Sequence, residues 1–204
     1  MIGAGIGVTP FASLLLYLRD VLRGLPPLDE VQRKDIGRIR LKRLRFIWVC
    51  KTLNQLQWFL DLITDLDQDK STHSWLHISL FLTGTAAPAH LPVASQPAGA
   101  TPHTVDSSSF RTLHVPSNAG TKSALRIYYA RPALDRLLRD YAGRHSAGVR
   151  AGVYSSARVG VYFCGPKSMG CALEQACRLV NQQAQPSNHA GTQCTQLVLE
   201  QEIF

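Results

Sequence analysis

The 204-residue sequence predicts an α/β fold, a parallel sheet flanked by helices, and three observations carry that expectation. Short apolar runs of strand length alternate with segments whose apolar residues recur at helical spacing, the pattern of a parallel sheet with right-handed crossovers. A glycine-rich turn opens the first helix. The composition, 45% apolar and 18% charged, suits one buried core, and the chain is too short for two large domains. No apolar run approaches the roughly 18 to 20 residues that span a bilayer, and the start lacks the charged head and long apolar stretch of a signal peptide. The chain is therefore expected neither to cross nor to enter a membrane on its own.

In chain order, Phe11, Leu14, Leu15, Leu18, Leu22 and Leu25 mark the first helix, and Gly24, Pro26 and Pro27 stop it. Phe46 to Cys50 is a continuous apolar strand, followed by Thr52-Leu53-Asn54-Gln55, which has the form of a capping box. A second helix then carries Leu56, Phe59, Leu60 and Ile63, and Leu76 to Leu82 reads as the next strand. From about 84 to 123 the composition turns to Ala, Pro, Ser, Thr, Gly and His, which predicts a loop-like or disordered insertion. Leu125 to Tyr129 resumes the sheet, and Arg131-Pro132 opens a helix with Leu134, Leu137, Leu138 and Tyr141 on one face. A second loop-like stretch is expected over about 143 to 158. Val159 to Cys164 is a strand, Met169, Leu173, Ala176 and Val180 mark the last helix, and Leu197 to Phe204 closes the chain as an extended segment.

In such sheets ligands bind beyond the carboxyl ends of the strands, and that rule selects residues. Gly3, Gly5 and Gly7, with Thr9 and Pro10 in N-cap and first-turn positions, could let backbone approach a pyrophosphate facing the positive end of a helix dipole. The run is not a GxGxxG fingerprint, and a plain strand-to-helix turn accounts for it equally well. Only Met1 and Ile2 precede it, so the first strand is expected to be largely missing, as in the C-terminal piece of something longer. Lys51 and Arg131 each follow a strand. Either could be a surface charge, and together they would suit the dianionic 2′-phosphate that NADPH has and NADH lacks.

Cys164-Gly165-Pro166 stands at another strand end. Cys164 could lie beside a nicotinamide ring or be a buried core cysteine. The histidines fall mostly in loop-like regions, so no base pairs with it, and no Glu/Asp/His cluster suggests a metal. Five cysteines without a CxxC pair argue against a disulfide scaffold and a zinc site, and favour a reducing compartment. Phe204 could cover a flavin or fray.

The formal charge of +8 points to anionic partners. Seven basic residues crowd between Arg33 and Arg45, either as a solvated approach to the strand or as a patch for an anionic leaflet. They lack the interleaved aromatics of a nucleic-acid platform, so no nucleic acid is expected.

In order, GAGIGVTPFASLL, FIWVCKTLNQLQWFLDLI, YYARP, VGVYFCGPKSM and a terminal Phe resemble the NADPH-binding half of the eukaryotic NADPH oxidases. These belong to the ferric reductase and ferredoxin-NADP reductase superfamily. The resemblance covers nearly all the patterned segments, with EQACRLVNQQ nearer the dual oxidases and Ala130 nearer the plant respiratory burst enzymes. It implies a Rossmann-like domain over residues 1–204. It also implies a module that takes hydride from NADPH and passes it to FAD in a preceding domain, joined to haem-bearing transmembrane helices at the cytosolic face of a membrane. Such an enzyme releases superoxide or hydrogen peroxide.

By the same match Gly3, Gly5, Gly7, Thr9 and Pro10 would line the pyrophosphate, and Lys51 and Arg131 the 2′-phosphate. Cys164, Gly165 and Pro166 would meet the nicotinamide, and Phe204 the flavin face, so Cys164 and Phe204 stand nearest the chemistry. The sequence departs from the pattern at Lys51, where the family usually has Arg, at Gln57, where it has an acid, and at Ile203, where it has Asn. The alternative is a truncated regulatory or decoy product that binds oxidase subunits without electron transfer.

Overall fold

A computed structural model describes residues 1–22, 41–57, 59–69, 72, 74–84, 110–116, 122–155, 157–183 and 195–204. The elements are β1 (Ile2–Ala4), a 3₁₀ turn (Gly5–Val8), α1 (Thr9–Leu22), β2 (Leu44–Cys50), α2 (Leu53–Gln57), α3 (Leu60–Gln68) and β3 (Leu76–Leu82). They continue with β4 (Phe110–Pro116), β5 (Lys122–Tyr128), α4 (Leu134–Arg150), β6 (Arg158–Gly165), α5 (Lys167–Gln183) and β7 (Gln196–Ile203).

The seven strands form one sheet in the order β4-β5-β3-β2-β1-β6-β7. Six run parallel, and β4 pairs antiparallel with β5 at the edge. From β1 the chain moves outward through β2, β3 and β5, then returns to lay β6 on the other side of β1. The switch point therefore lies between β1 and β6, where an open α/β sheet leaves a crevice at its carboxyl edge.

Both faces of the sheet are covered, which explains why β2 reads as an unbroken apolar run. Phe46, Trp48 and Cys50 pack on one face with Phe11 and Leu15 of α1, Leu56 of α2 and Ile63 and Leu66 of α3. Ile47 points the other way, into a cluster with Leu137 and Leu138 of α4 and Leu173, Ala176 and Val180 of α5. Phe11 meets Phe46 edge-on at 6.2 Å. Leu14, counted on the apolar face of the first helix, is 41% exposed. Leu25 lies outside the described residues.

Several expectations need correction. β4 and the start of β5 fall inside the segment 84–123 read as loop-like. Sparse alternation in Phe110-Arg-Thr-Leu-His-Val suffices for a strand that gains its ladder from a neighbour, a term composition does not register. Helix α4 runs on to Arg150, so the first half of the 143–158 stretch is helical. Within it Asp140 and Arg144 pair one turn apart. The second helix is broken at Phe59, whose φ of −118° and ψ of 10° separate α2 from α3. The expectation of a much reduced first strand, by contrast, agrees with β1, which is three residues long against seven in β2 and pairs with both β2 and β6. The closing segment is a strand laid parallel to β6, with the Phe204 amide donating to the Gly165 carbonyl at 3.3 Å; its backbone does not fray.

Candidate functional site

The crevice at the switch point is built by two tight backbone turns in contact. Gly3 pairs with Cys164 across the β1–β6 ladder. Gly5 turns the chain with φ of 57°, a left-handed value that glycine adopts at little cost, and the space beside its Cα is open. Gly7 is packed so closely on β6 that a Cβ there would lie 2.2 Å from the Cys164 carbonyl oxygen. A Cβ on Gly165 would in turn meet that of Ala4 at 2.8 Å. The glycines thus serve contact between the turn and β6 at Gly7, contact between β6 and β1 at Gly165, and backbone conformation at Gly5. Beneath the turn stands Trp48, buried, whose indole Nε1 donates to the Gly5 carbonyl at 3.1 Å.

Thr9 does not cap α1. It already has helical φ and ψ, and its hydroxyl donates back to the Ile6 carbonyl at 2.9 Å, because the 3₁₀ turn Gly5–Val8 starts the helical path four residues earlier. Pro10 follows in the first turn, where its missing N–H costs nothing. Ile6, at the tip, is 74% exposed.

Cys164, next to last in β6, stands opposite Glu202 of β7, with Sγ 4.0 Å from Oε2. Burial, and secondarily the Glu202 carboxylate, push its thiol above the ordinary range, so it stays protonated at neutral pH. A thiol held protonated is a weak nucleophile. It presents a small apolar group at the crevice wall. Pro166 and the α5 N-terminus follow directly, and the backbone bond to Gly165 brings Phe204, 59% exposed, to the same edge.

Lys51 lies one strand further out, past β2. Its amide donates to Gln55 Oε1 at 2.8 Å, so the Gln of the expected capping box reaches Lys51 rather than Thr52. Its carbonyl accepts from the Gly84 amide at 3.0 Å, which ties the ends of β2 and β3 together. Arg131 follows β5, separated from Lys51 by β3. With neighbouring strands about 4.8 Å apart, β2 and β5, which the two cations follow, are two ladder steps apart in the sheet. Both are exposed.

The structure therefore brings Gly3, Gly5, Gly7, Cys164, Gly165, Pro166 and Phe204 together, and sets Lys51 and Arg131 further along the edge. Trp48, Gln55, Gly84 and Glu202 were not anticipated as site residues. Glu202 stands out in the sequence only as one of two acids in the tail, while a tryptophan within an apolar run signals a core residue and nothing more. Of the basic run, Arg33 to Arg40 lie outside the described residues. Lys42 and Arg43 are exposed, but the Arg45 guanidinium lies over the Tyr141 ring, 4.3 Å from its centroid, rather than in solvent.

A doubly wound parallel sheet with a glycine turn at its switch point defines the class of dinucleotide-binding α/β domains. Within it, the family model described as ferric reductase NAD binding domain matches residues 1–178, and the chain belongs to that family. Three curated relatives show the range of similarity. A superoxide-generating NADPH oxidase heavy chain from Dictyostelium discoideum is 26% identical over 181 residues, which is 89% of this chain and 21% of that protein. Human NADPH oxidase 3 is 27% identical over 183 residues, 87% of this chain and 26% of the relative. Dual oxidase 1 of Caenorhabditis elegans is 24% identical over 183 residues, 90% of this chain and 11% of the relative. The chain thus spans about a quarter or less of the length of these relatives. Among the described residues no helix is long and apolar enough to cross a membrane.

Proposed function

We propose that this chain is the NADPH-binding module of a membrane oxidase and that its crevice presents the nicotinamide to a flavin for hydride transfer. The observation that carries the reading is the Gly3–Gly7 turn packed directly on Cys164 and Gly165 at the switch point. It puts a backbone turn of the pyrophosphate-binding type directly against the end of β6. The names of the relatives, NADPH oxidases and dual oxidases, supply the cofactor and the class of reaction.

Each residue then has a part. Gly5 lets the backbone approach the diphosphate where a side chain would be strained, and the 3₁₀ turn with α1 behind it directs N–H groups and a helix dipole toward the charge. Thr9 and Pro10 hold that helical start. Lys51 and Arg131 meet the 2′-phosphate, Lys51 as a point charge and Arg131 as a fork. Cys164, protonated and small, lies with Gly165 and Pro166 against the nicotinamide. Phe204 covers the ring position on the flavin side. NADPH, once bound, supplies the hydride and a flavin accepts it, so the protein's work is placement and exclusion of water. FAD and the haem-bearing helices belong to partner domains, which set the module at the cytosolic face of a membrane, with Lys42 and Arg43 available to an anionic leaflet.

Calorimetric titration of the folded chain with 2′-phospho-AMP and then with AMP tests the reading. Tighter binding of the phosphorylated ligand is expected. A folded chain that binds neither overturns it.

A further inference from the structure

Among the described residues the sheet ends at β7, and its ladder with β6 fixes which backbone groups face outward. The Gln196 amide donates to the Ala157 carbonyl at 2.7 Å and the Phe204 amide to the Gly165 carbonyl at 3.3 Å. In a parallel ladder alternate residues bond to one neighbour. The even-numbered residues from Gln196 to Phe204 therefore bond to β6, while Leu197, Leu199, Gln201 and Ile203 turn their N–H and C=O groups away from it. Leu197 is satisfied from α5: the Asn181 side chain accepts from its amide at 2.8 Å and donates to its carbonyl at 2.9 Å, as a rung of an added strand would. Beyond that clamp, the outward groups of Leu199, Gln201 and Ile203 meet no partner among the described residues.

We propose that this length of β7 is a docking edge for an extended segment of a partner polypeptide in which apolar residues alternate with basic ones. Backbone edges need both donors and acceptors, and another strand supplies both in register. The side chains of β7 then set what the incoming strand must carry.

They sort by face. Leu197 belongs to the core with Val161 and Leu173, Leu199 packs against that cluster, and Gln201 and Ile203 lie close to Gly170 of α5. Val198, Glu200, Glu202 and Phe204 project from the other face and are exposed. A strand laid beside β7 places its residues next to Leu199, Gln201 and Ile203 on the α5 side, where apolar groups extend the existing cover. Its residues next to Glu200 and Glu202 fall on the open side, where Lys or Arg forms opposite-charge cross-strand pairs.

The two carboxylates also select against a second copy of this chain. Paired antiparallel about Gln201, two copies would set their Glu200 and Glu202 carboxylates directly opposite each other, which destabilises such a pair. A chain with a formal charge of +8 thus presents a locally acidic edge. Lys, Pro and bulges, which commonly close an edge to other strands, are absent from 199–203. The guard the structure does show, Asn181, covers Leu197 alone. None of this depends on nucleotide binding at the crevice.

The probe is fluorescent Thr-Val-Lys-Val-Lys-Val-Thr, titrated into the unaltered chain and followed by anisotropy and amide hydrogen exchange. Saturable binding is expected, with exchange at Leu199, Gln201 and Ile203 slowed about tenfold. Glu200→Lys should weaken it about fivefold or more. Gln201→Pro removes an outward N–H and spares the ladder to β6, so it should weaken binding at least as much. Absence of binding overturns the proposal, as does equal binding of Thr-Lys-Lys-Val-Val-Val-Thr, which has the same charge without the alternation. Binding that both variants leave intact, or protection confined to residues away from β7, has the same force. Self-association of the unaltered chain through the same amides would give the edge to a second copy and make the proposal wrong.

Discussion

Gly7 rests on the Cys164 carbonyl so closely that a methyl group on its Cα would lie 2.2 Å from the oxygen. One residue of the glycine turn is therefore part of the β6 packing surface, and the two halves of the crevice cannot move independently. Gly7→Ala should push β6 and the turn apart, at a stability cost of about 1–3 kcal/mol and with loss of nucleotide binding. Gly5→Ala meets open space and pays only for its left-handed backbone, about 1–2 kcal/mol. Urea melts of the two variants check the order, and a larger loss for Gly5→Ala would contradict it.

Trp48→Phe keeps most of the buried ring but removes the donor to the Gly5 carbonyl. The expected stability loss is about 1 kcal/mol for that bond, plus the smaller ring. Affinity for 2′-phospho-AMP should fall several-fold because the turn is no longer held from below. Unchanged affinity in a folded variant would limit Trp48 to the core.

Arg131→Ala should weaken 2′-phospho-AMP about tenfold or more and AMP hardly at all, since a charge-assisted bond is worth about 1.5–3 kcal/mol. Lys51→Arg should sharpen the preference by restoring a fork. Equal losses for both ligands in Arg131→Ala would place that residue away from the 2′-phosphate.

Glu202→Gln removes one of the two causes that raise the Cys164 thiol, so its pKa should fall while burial keeps it above the ordinary value. Alkylation of the Cys164 peptide followed against pH by mass spectrometry reads this directly. A profile identical to the parent would mean that the carboxylate does not reach the sulfur.

The Met1 amine titrates at about 5 when folded and at an ordinary 8.0 when released. Between those values the unfolded chain binds the extra proton, so stability rises with pH from 5 to 8 and is lost on acidification, by up to about 4 kcal/mol at 1.36 kcal/mol per unit. Acetylation of Met1 should flatten that slope in denaturant melts at several pH values.

The strand and helix order was legible because β2 is a continuous apolar run, β3 and β6 are rich in large apolar residues, and the helices carry clear stripes. β4 was not, since its alternation is sparse and its stability comes from the partner strand. The glycines, Cys164 and Phe204 could be picked out one by one, as strand-end residues in a parallel sheet. Their convergence could not, because it depends on β6 returning to the far side of β1 and on the Cys164–Glu202 register. Trp48 was hidden for a different reason: the direction of one N–H within a buried ring has no trace in residue order.

The placement of β1 and β7 bears on how the protein can be handled. β7 brings Phe204 to Gly165, and Met1 is buried with its amine on the Arg45 carbonyl, so residues added at either position meet packed structure at once. An affinity handle fused behind Phe204 would start beside Gly165 at the carboxyl edge of the sheet, and one fused ahead of Met1 would start where the Met1 amine meets the Arg45 carbonyl. Reporter and purification sequences are better carried on an exposed helical surface, such as the polar side of α5.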